Sequence, residues 1–270
     1  MGLLSRAVPG LLVSAALLLP GANATAGDQP RDPLFRARLL YNQRQFQAAV
    51  EAAEEASRNP AYTDGADLIA ARAYLEHYRE TGVPDHLERA RERLRRINPQ
   101  RFTPRERSEF IVGLGEALFF DDASGAAADV FESVLASEEL DLEGRERVLD
   151  WWASALDRDA RPRPDLERQV VYQKIQDRMT QELASNPASS TAAYWVAAAA
   201  RGQGNLQAAW DAVQAGWVRA PLAPDHGAAL RGDLDRLVQR VIVPERARIL
   251  AQPPETLLAE WERFKEKWNK

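Results

Sequence analysis

The stretch that decides the fold runs from Ser190 to Ala223 and reads STAAYWVAAAARGQGNLQAAWDAVQAGWVRAPLA. Val196, Ala197 and Ala200 lie on one apolar face at helical spacing, and Leu206, Ala209, Val213 and Gly216 do the same after Gly204. Gly204 is a natural break between two helices, and Pro221 closes the second, because proline cannot continue a helix. The 34 residues therefore predict a helical hairpin. Its small residues let the two helices approach, and its larger ones fill the seam between them.

Two further windows of the same length carry a related order of residues. In 30–63, Phe46, Ala49, Ala53 and Ala56 precede Pro60. In 108–141, Leu114-Gly115 is followed by Leu118, Ala127, Phe131 and Val134. Between the windows lie 64–107 and 142–189, each long enough for one longer hairpin; Tyr74, Ala90 and Leu94 echo the pattern in the first. One hairpin cannot bury both its faces, so stacked hairpins share one continuous core.

The three windows resemble the tetratricopeptide (TPR) family of helical repeats, and the resemblance covers 30–223. It implies an all-α superhelix of about five antiparallel hairpins. The expected division is a signal peptide at 1–26, a repeat domain at 27–223 and a helical cap at 224–270. In the cap, Asp225 to Val243 predicts a helix that Pro244 brings to an end. Glu255 to Trp268 predicts a last helix with Leu257, Leu258, Trp261, Phe264 and Trp268 on one face.

The remaining chain agrees with an all-helical reading. From Pro33 onward apolar residues recur at three and four, as in Val50-Ala53-Ala56 and Leu68-Ala71-Leu75. Turn signals such as Asn59-Pro60, Gly82-Val83-Pro84, Asn98-Pro99 and Asn186-Pro187 leave room for about twelve helices. The seven Trp are expected mostly in the core, Trp151, Trp152 and Trp210 above all.

The first residues have the layout of an export signal. Arg6 precedes an apolar run from Leu11 to Leu19, then Pro20-Gly21, then small residues suited to cleavage near Ala24 or Ala26. That run is about half of the roughly 20 residues a membrane span needs. The expectation is an exported chain, periplasmic or secreted, without a stable membrane span after cleavage.

Composition narrows function by exclusion. A net charge of −5 argues against nucleic acid as the partner. The absence of cysteine excludes disulfides, thiolate metal sites and cysteine nucleophiles. No HExxH, GxSxG, Walker loop or GxGxxG occurs. Three histidines, His77, His86 and His226, stand apart in sequence, with His77 and His86 on either side of a turn. The acids Glu139, Asp141, Glu143 and Asp150 match a calcium loop poorly, and Asp141 reads better as a helix N-cap. Asp121-Asp122 reads as a polar turn. No catalytic residue, metal or cofactor is therefore assigned.

Charge is distributed unevenly. From Arg89 to Arg107 eight Arg face two acids, and from Glu116 to Asp150 eleven acids face two Arg. Either these neighbouring hairpins pair with one another, or they form a bipolar surface that steers a charged partner. Lysine is almost absent, with 31 of 35 basic residues being Arg.

The resemblance also implies where a partner would bind, since TPR proteins line a groove with alternate helices. Carried onto this chain, the groove candidates are Arg38, Tyr41, Arg72, Glu116, Phe119, Tyr194 and Arg201. The implied function is a non-enzymatic adaptor of the cell envelope that holds a protein or peptide. The alternatives are an accessory role in envelope polysaccharide or peptidoglycan handling, or an enzyme with an unrecognised site.

Overall fold

The computed structural model describes residues 32–137 and 139–269, so the signal expected at 1–26 lies outside the described residues. Those residues fold into thirteen α-helices, with no strand among them. Two compact units divide the chain at Arg161/Pro162.

The N-terminal unit holds α1 (Pro33–Asn42), α2 (Phe46–Ala56), α3 (Thr63–Thr81), α4 (Pro84–Arg96), α5 (Pro104–Phe120), α6 (Ser124–Leu135) and α7 (Leu142–Ala160). Each helix packs on its sequence neighbour. The odd-numbered helices also touch one another, α1 on α3, α3 on α5 and α5 on α7. That second set of contacts is what stacked hairpins produce: one row of helices lies beside the other, and hairpin follows hairpin. Short turns enforce the antiparallel pairing.

Local chemistry sets the helix ends. Proline opens α1, α4 and α5, where its missing N–H costs nothing. Thr103 and Glu106 form a reciprocal capping box at α5. Asp141 accepts from the Gly144 N–H at 2.7 Å and caps α7, the role expected for it. Gly82 ends α3 with φ of 67°, a left-handed conformation that favours glycine. Asp121 and Asp122 do lie in the turn between α5 and α6.

Small residues decide how closely the helices approach. Ala37, Ala52, Ala53, Ala56, Ala66 and Ala70 are all buried where α1, α2 and α3 meet. Gly115 on α5 faces Phe131 on α6 so closely that a Cβ there would stand 2.6 Å from the ring. A second apolar cluster, including Phe46, Leu68, Tyr74, Leu75, Leu87, Leu94 and Phe102, binds α2 to α5 together. Every cation side chain of residues 32–161 is arginine or histidine.

The C-terminal unit holds α8 (Asp165–Ser185), α9 (Ser190–Gly202), α10 (Leu206–Arg219), α11 (Ala228–Leu237), α12 (Val243–Leu250) and α13 (Pro254–Trp268). Its core is continuous across residue 224: Ala197, Ala209, Val213 and Trp217 pack with Leu230, Leu234, Leu257 and Trp261. Asp235 accepts from both Trp261 Nε1 and Lys265 Nζ, each at 2.8 Å, and so fastens α13 to α11.

Pro244 does not interrupt the helix as the sequence suggested. α11 runs into α12 through a π-helical turn at Val238–Ile242. Proline in a regular helix lacks a donor and crowds the carbonyl four residues back. The wider turn immediately before Pro244 relieves that conflict, and the helix continues to Leu250.

Candidate functional site

The odd-numbered helices of the N-terminal unit bring polar side chains together on one face. Arg38 on α1 donates to Glu106 on α5 at 3.1 Å, although α3 lies between those helices. The long arginine side chain and the glutamate together bridge α1 to α5 across α3.

Below that bridge, Arg72 on α3 reaches Glu109 on α5 at 3.3 Å. The Arg72 guanidinium lies 4.7 Å from the centre of the Tyr41 ring on α1, a cation–π contact. Arg79 donates through Nε to Glu76 at 2.8 Å along α3. Arg147 on α7 is 43% exposed and pairs with Glu143 at 3.5 Å.

Glu116 on α5 is the exception. It is 5% exposed, and among the described residues its carboxyl has no hydrogen-bond donor and no cation within 4.0 Å. Burial, with the Glu76 charge adding to it, raises its pKa to about 7 against the opposing pull of Arg72, Arg147 and Arg79. Desolvation likewise pushes the Tyr41 phenol up to about 12, with Glu76 and Glu116 adding to it and Arg72 opposing. For Arg72 burial acts to lower the pKa, yet Tyr41, Glu109 and Glu116 outweigh it and hold the guanidinium charged.

Tyr41, Arg72 and Glu116 thus form one electrostatic group with Glu76, and Arg38 closes its edge. Phe119 is different: it is 3% exposed, meets Trp151 edge-on at 5.0 Å, and lies under the Arg158 guanidinium at 4.1 Å. It packs α5 against α7 and offers no open surface. Its neighbour Phe120 contacts Tyr78 on α3 at 4.9 Å and Trp151 on α7 at 5.6 Å, an aromatic ladder across three odd-numbered helices.

Tyr194 and Arg201 belong to α9 in the C-terminal unit. Arg201 donates through Nε to Glu245 on α12 at 3.0 Å, and Tyr194 lies 5.6 Å edge-on to Trp195.

No family model and no curated protein matches the chain.

Two features escaped the sequence reading. His77 and His86, apart in sequence, meet across the α3–α4 turn with ring centres 5.0 Å apart. Burial lowers the His77 pKa, and His86 lowers it further. The signal for this was available: a short turn between antiparallel helices brings residues equidistant from it together. The basic run 89–107 also finds partners that the sequence did not suggest. Arg93 binds Asp67 at 2.8 Å and Glu54 at 3.0 Å, and Arg101 binds Asp64 at 3.3 Å, all on α2 or α3. From the run to the acidic stretch, the Arg91–Asp121 pair crosses between α4 and the α5–α6 turn.

Among the described residues no group of three or more His, Asp or Glu is placed to hold a metal ion. None of their helices is long and apolar enough to cross a membrane.

Proposed function

We propose that the chain is a TPR-like, non-enzymatic adaptor of the bacterial cell envelope that holds a protein or peptide partner against the α1/α3/α5/α7 face. The observation that carries this reading is the convergence of Arg38, Tyr41, Arg72 and Glu116 from three alternate helices onto one face. Arginine and tyrosine are enriched where binding energy concentrates, because each joins a broad apolar body to a polar tip. Export rests on the sequence layout of residues 1–26.

The test is photo-crosslinking in the envelope. A crosslinker at Asn42, exposed at the end of α1, is expected to give one discrete adduct. The same group at Glu92, exposed on α4, gives none. The Asn42 adduct should disappear when Arg38→Glu and Tyr41→Ala are combined. Equal adducts at both positions, or an adduct indifferent to the double substitution, would sink the reading.

A further inference from the structure

Charge pairing on this face is nearly complete, and its one gap is specific. Arg38 is matched by Glu106, Arg72 by Glu109, Arg79 by Glu76 and Arg147 by Glu143. Each cation near Glu116 is thereby held by a different acid. Among the described residues of this face, Glu116 remains the acid without a cation within 4.0 Å, and it is more than nine-tenths buried.

The groups that face Glu116 are Tyr41 from α1, Arg72, Glu76 and Arg79 from α3, and Arg147 from α7. Glu76 is itself an acid, so two carboxyls from adjacent odd-numbered helices act on one another through a desolvated space. The Glu76 charge opposes ionisation of Glu116, and a positive charge placed beside Glu116 would favour it. The guanidinium groups of Arg72, Arg79 and Arg147 each pair with another acid, so a cation set directly against the Glu116 carboxyl would be one from outside the chain. Burial makes such a cation count for more, because the surrounding medium screens it less.

We propose that Glu116 is the receptor on this face for one basic side chain, a lysine or an arginine, of the protein partner. The inference rests on the reading of the face as a partner surface. On binding, the partner's ammonium or guanidinium takes the place opposite Glu116, and the Glu116 carboxyl gives up its proton to solvent. Recognition is therefore accompanied by proton release near neutral pH, and it strengthens as pH rises through that range.

The experiment pans a random dodecapeptide library against the full chain and against Glu116→Gln and Tyr41→Ala variants. Selected peptides are then titrated by calorimetry in buffers of different ionisation enthalpy. The expected result is a lysine or arginine at one common position. Binding to Glu116→Gln should be at least tenfold weaker, and so should binding of a peptide whose basic residue is replaced by norleucine. The norleucine peptide should lose nothing further on Glu116→Gln, and the parent pair should release about half a proton at pH 7, the share Glu116 holds there. Peptides that need Tyr41 but show no basic preference, or bind Glu116→Gln as tightly, overturn this inference and leave the groove reading standing. A library that yields no peptide, or only peptides indifferent to Tyr41→Ala, overturns both.

Discussion

Arg38 and Glu106 meet at 3.1 Å although their helices are not neighbours in the stack. Glu106 has a second role, since its carboxylate also accepts from the Thr103 N–H at 3.1 Å in the capping box of α5. Burial alone would raise its pKa, but the Thr103 hydrogen bonds and Arg38 hold it below the ordinary range. Arg38→Ala is expected to cost about 0.5–1 kcal/mol, the usual worth of a partly exposed pair. Glu106→Ala should cost about 1 kcal/mol more, because the Glu106 half of the capping box is lost as well. Glu106→Gln keeps the box and should resemble Arg38→Ala. Urea denaturation of the three variants checks this, and equal losses for Glu106→Ala and Glu106→Gln would contradict it.

Glu116 makes the stability of the N-terminal unit depend on pH in an unusual direction. Its folded pKa, about 7, lies above that of an unfolded glutamate. Between those values the folded state holds the extra proton, so stability is greatest below the unfolded pKa and falls as pH rises through the folded one. Glu116→Gln removes the ionisable group. Above pH 8 it should exceed the parent in stability, by on the order of 2 kcal/mol. Thermal melts from pH 5 to 8.5 test the point; parallel curves for parent and variant would refute it.

Gly115→Ala should destabilise the hairpin of α5 and α6 by about 1–3 kcal/mol, because the new methyl would fall 2.6 Å from the Phe131 ring. Adding Phe131→Leu frees the space, and part of the loss should return. A double variant no more stable than Gly115→Ala alone would show that the contact is not what limits the approach.

In the C-terminal unit, Asp235→Ala strands the Trp261 indole and leaves the Lys265 ammonium with Glu262 alone. Trp261 is fully buried, so its orphaned N–H should cost about 1–3 kcal/mol. Tryptophan fluorescence during chemical unfolding reads the effect, which should shift the transition to lower denaturant. An unchanged midpoint would mean that water replaces the carboxylate without loss.

The helical class was legible because amphipathic spacing and proline punctuation are local signals. Most helices were visible in this way, as were the capping role of Asp141 and the burial of Trp151, Trp152 and Trp210. Pro244 misled because tolerance of a mid-helix proline depends on a π turn, which has no residue signature of its own. The site was legible only in outline. Repeat position proposed Arg38, Tyr41, Glu116 and Phe119 alike, and it carries no sign that Phe119 packs in the interior. Which acid each arginine meets was not legible at all. Arg93 meets Asp67 and Glu54, far from it in sequence, because stacking places α4 beside α2 and α3, and no local pattern encodes that neighbour.

The arginine-only basicity of residues 32–161 has a chemical corollary. The chain's lysines are Lys174, Lys265, Lys267 and Lys270; the three described ones lie in the C-terminal unit, and none falls within 32–161. Guanidinium groups stay protonated and unreactive toward reagents that acylate primary amines. Acetylation or amine-directed tethering can therefore mark side chains only in the C-terminal unit, while the Arg38–Tyr41–Arg72 face keeps its charge through both.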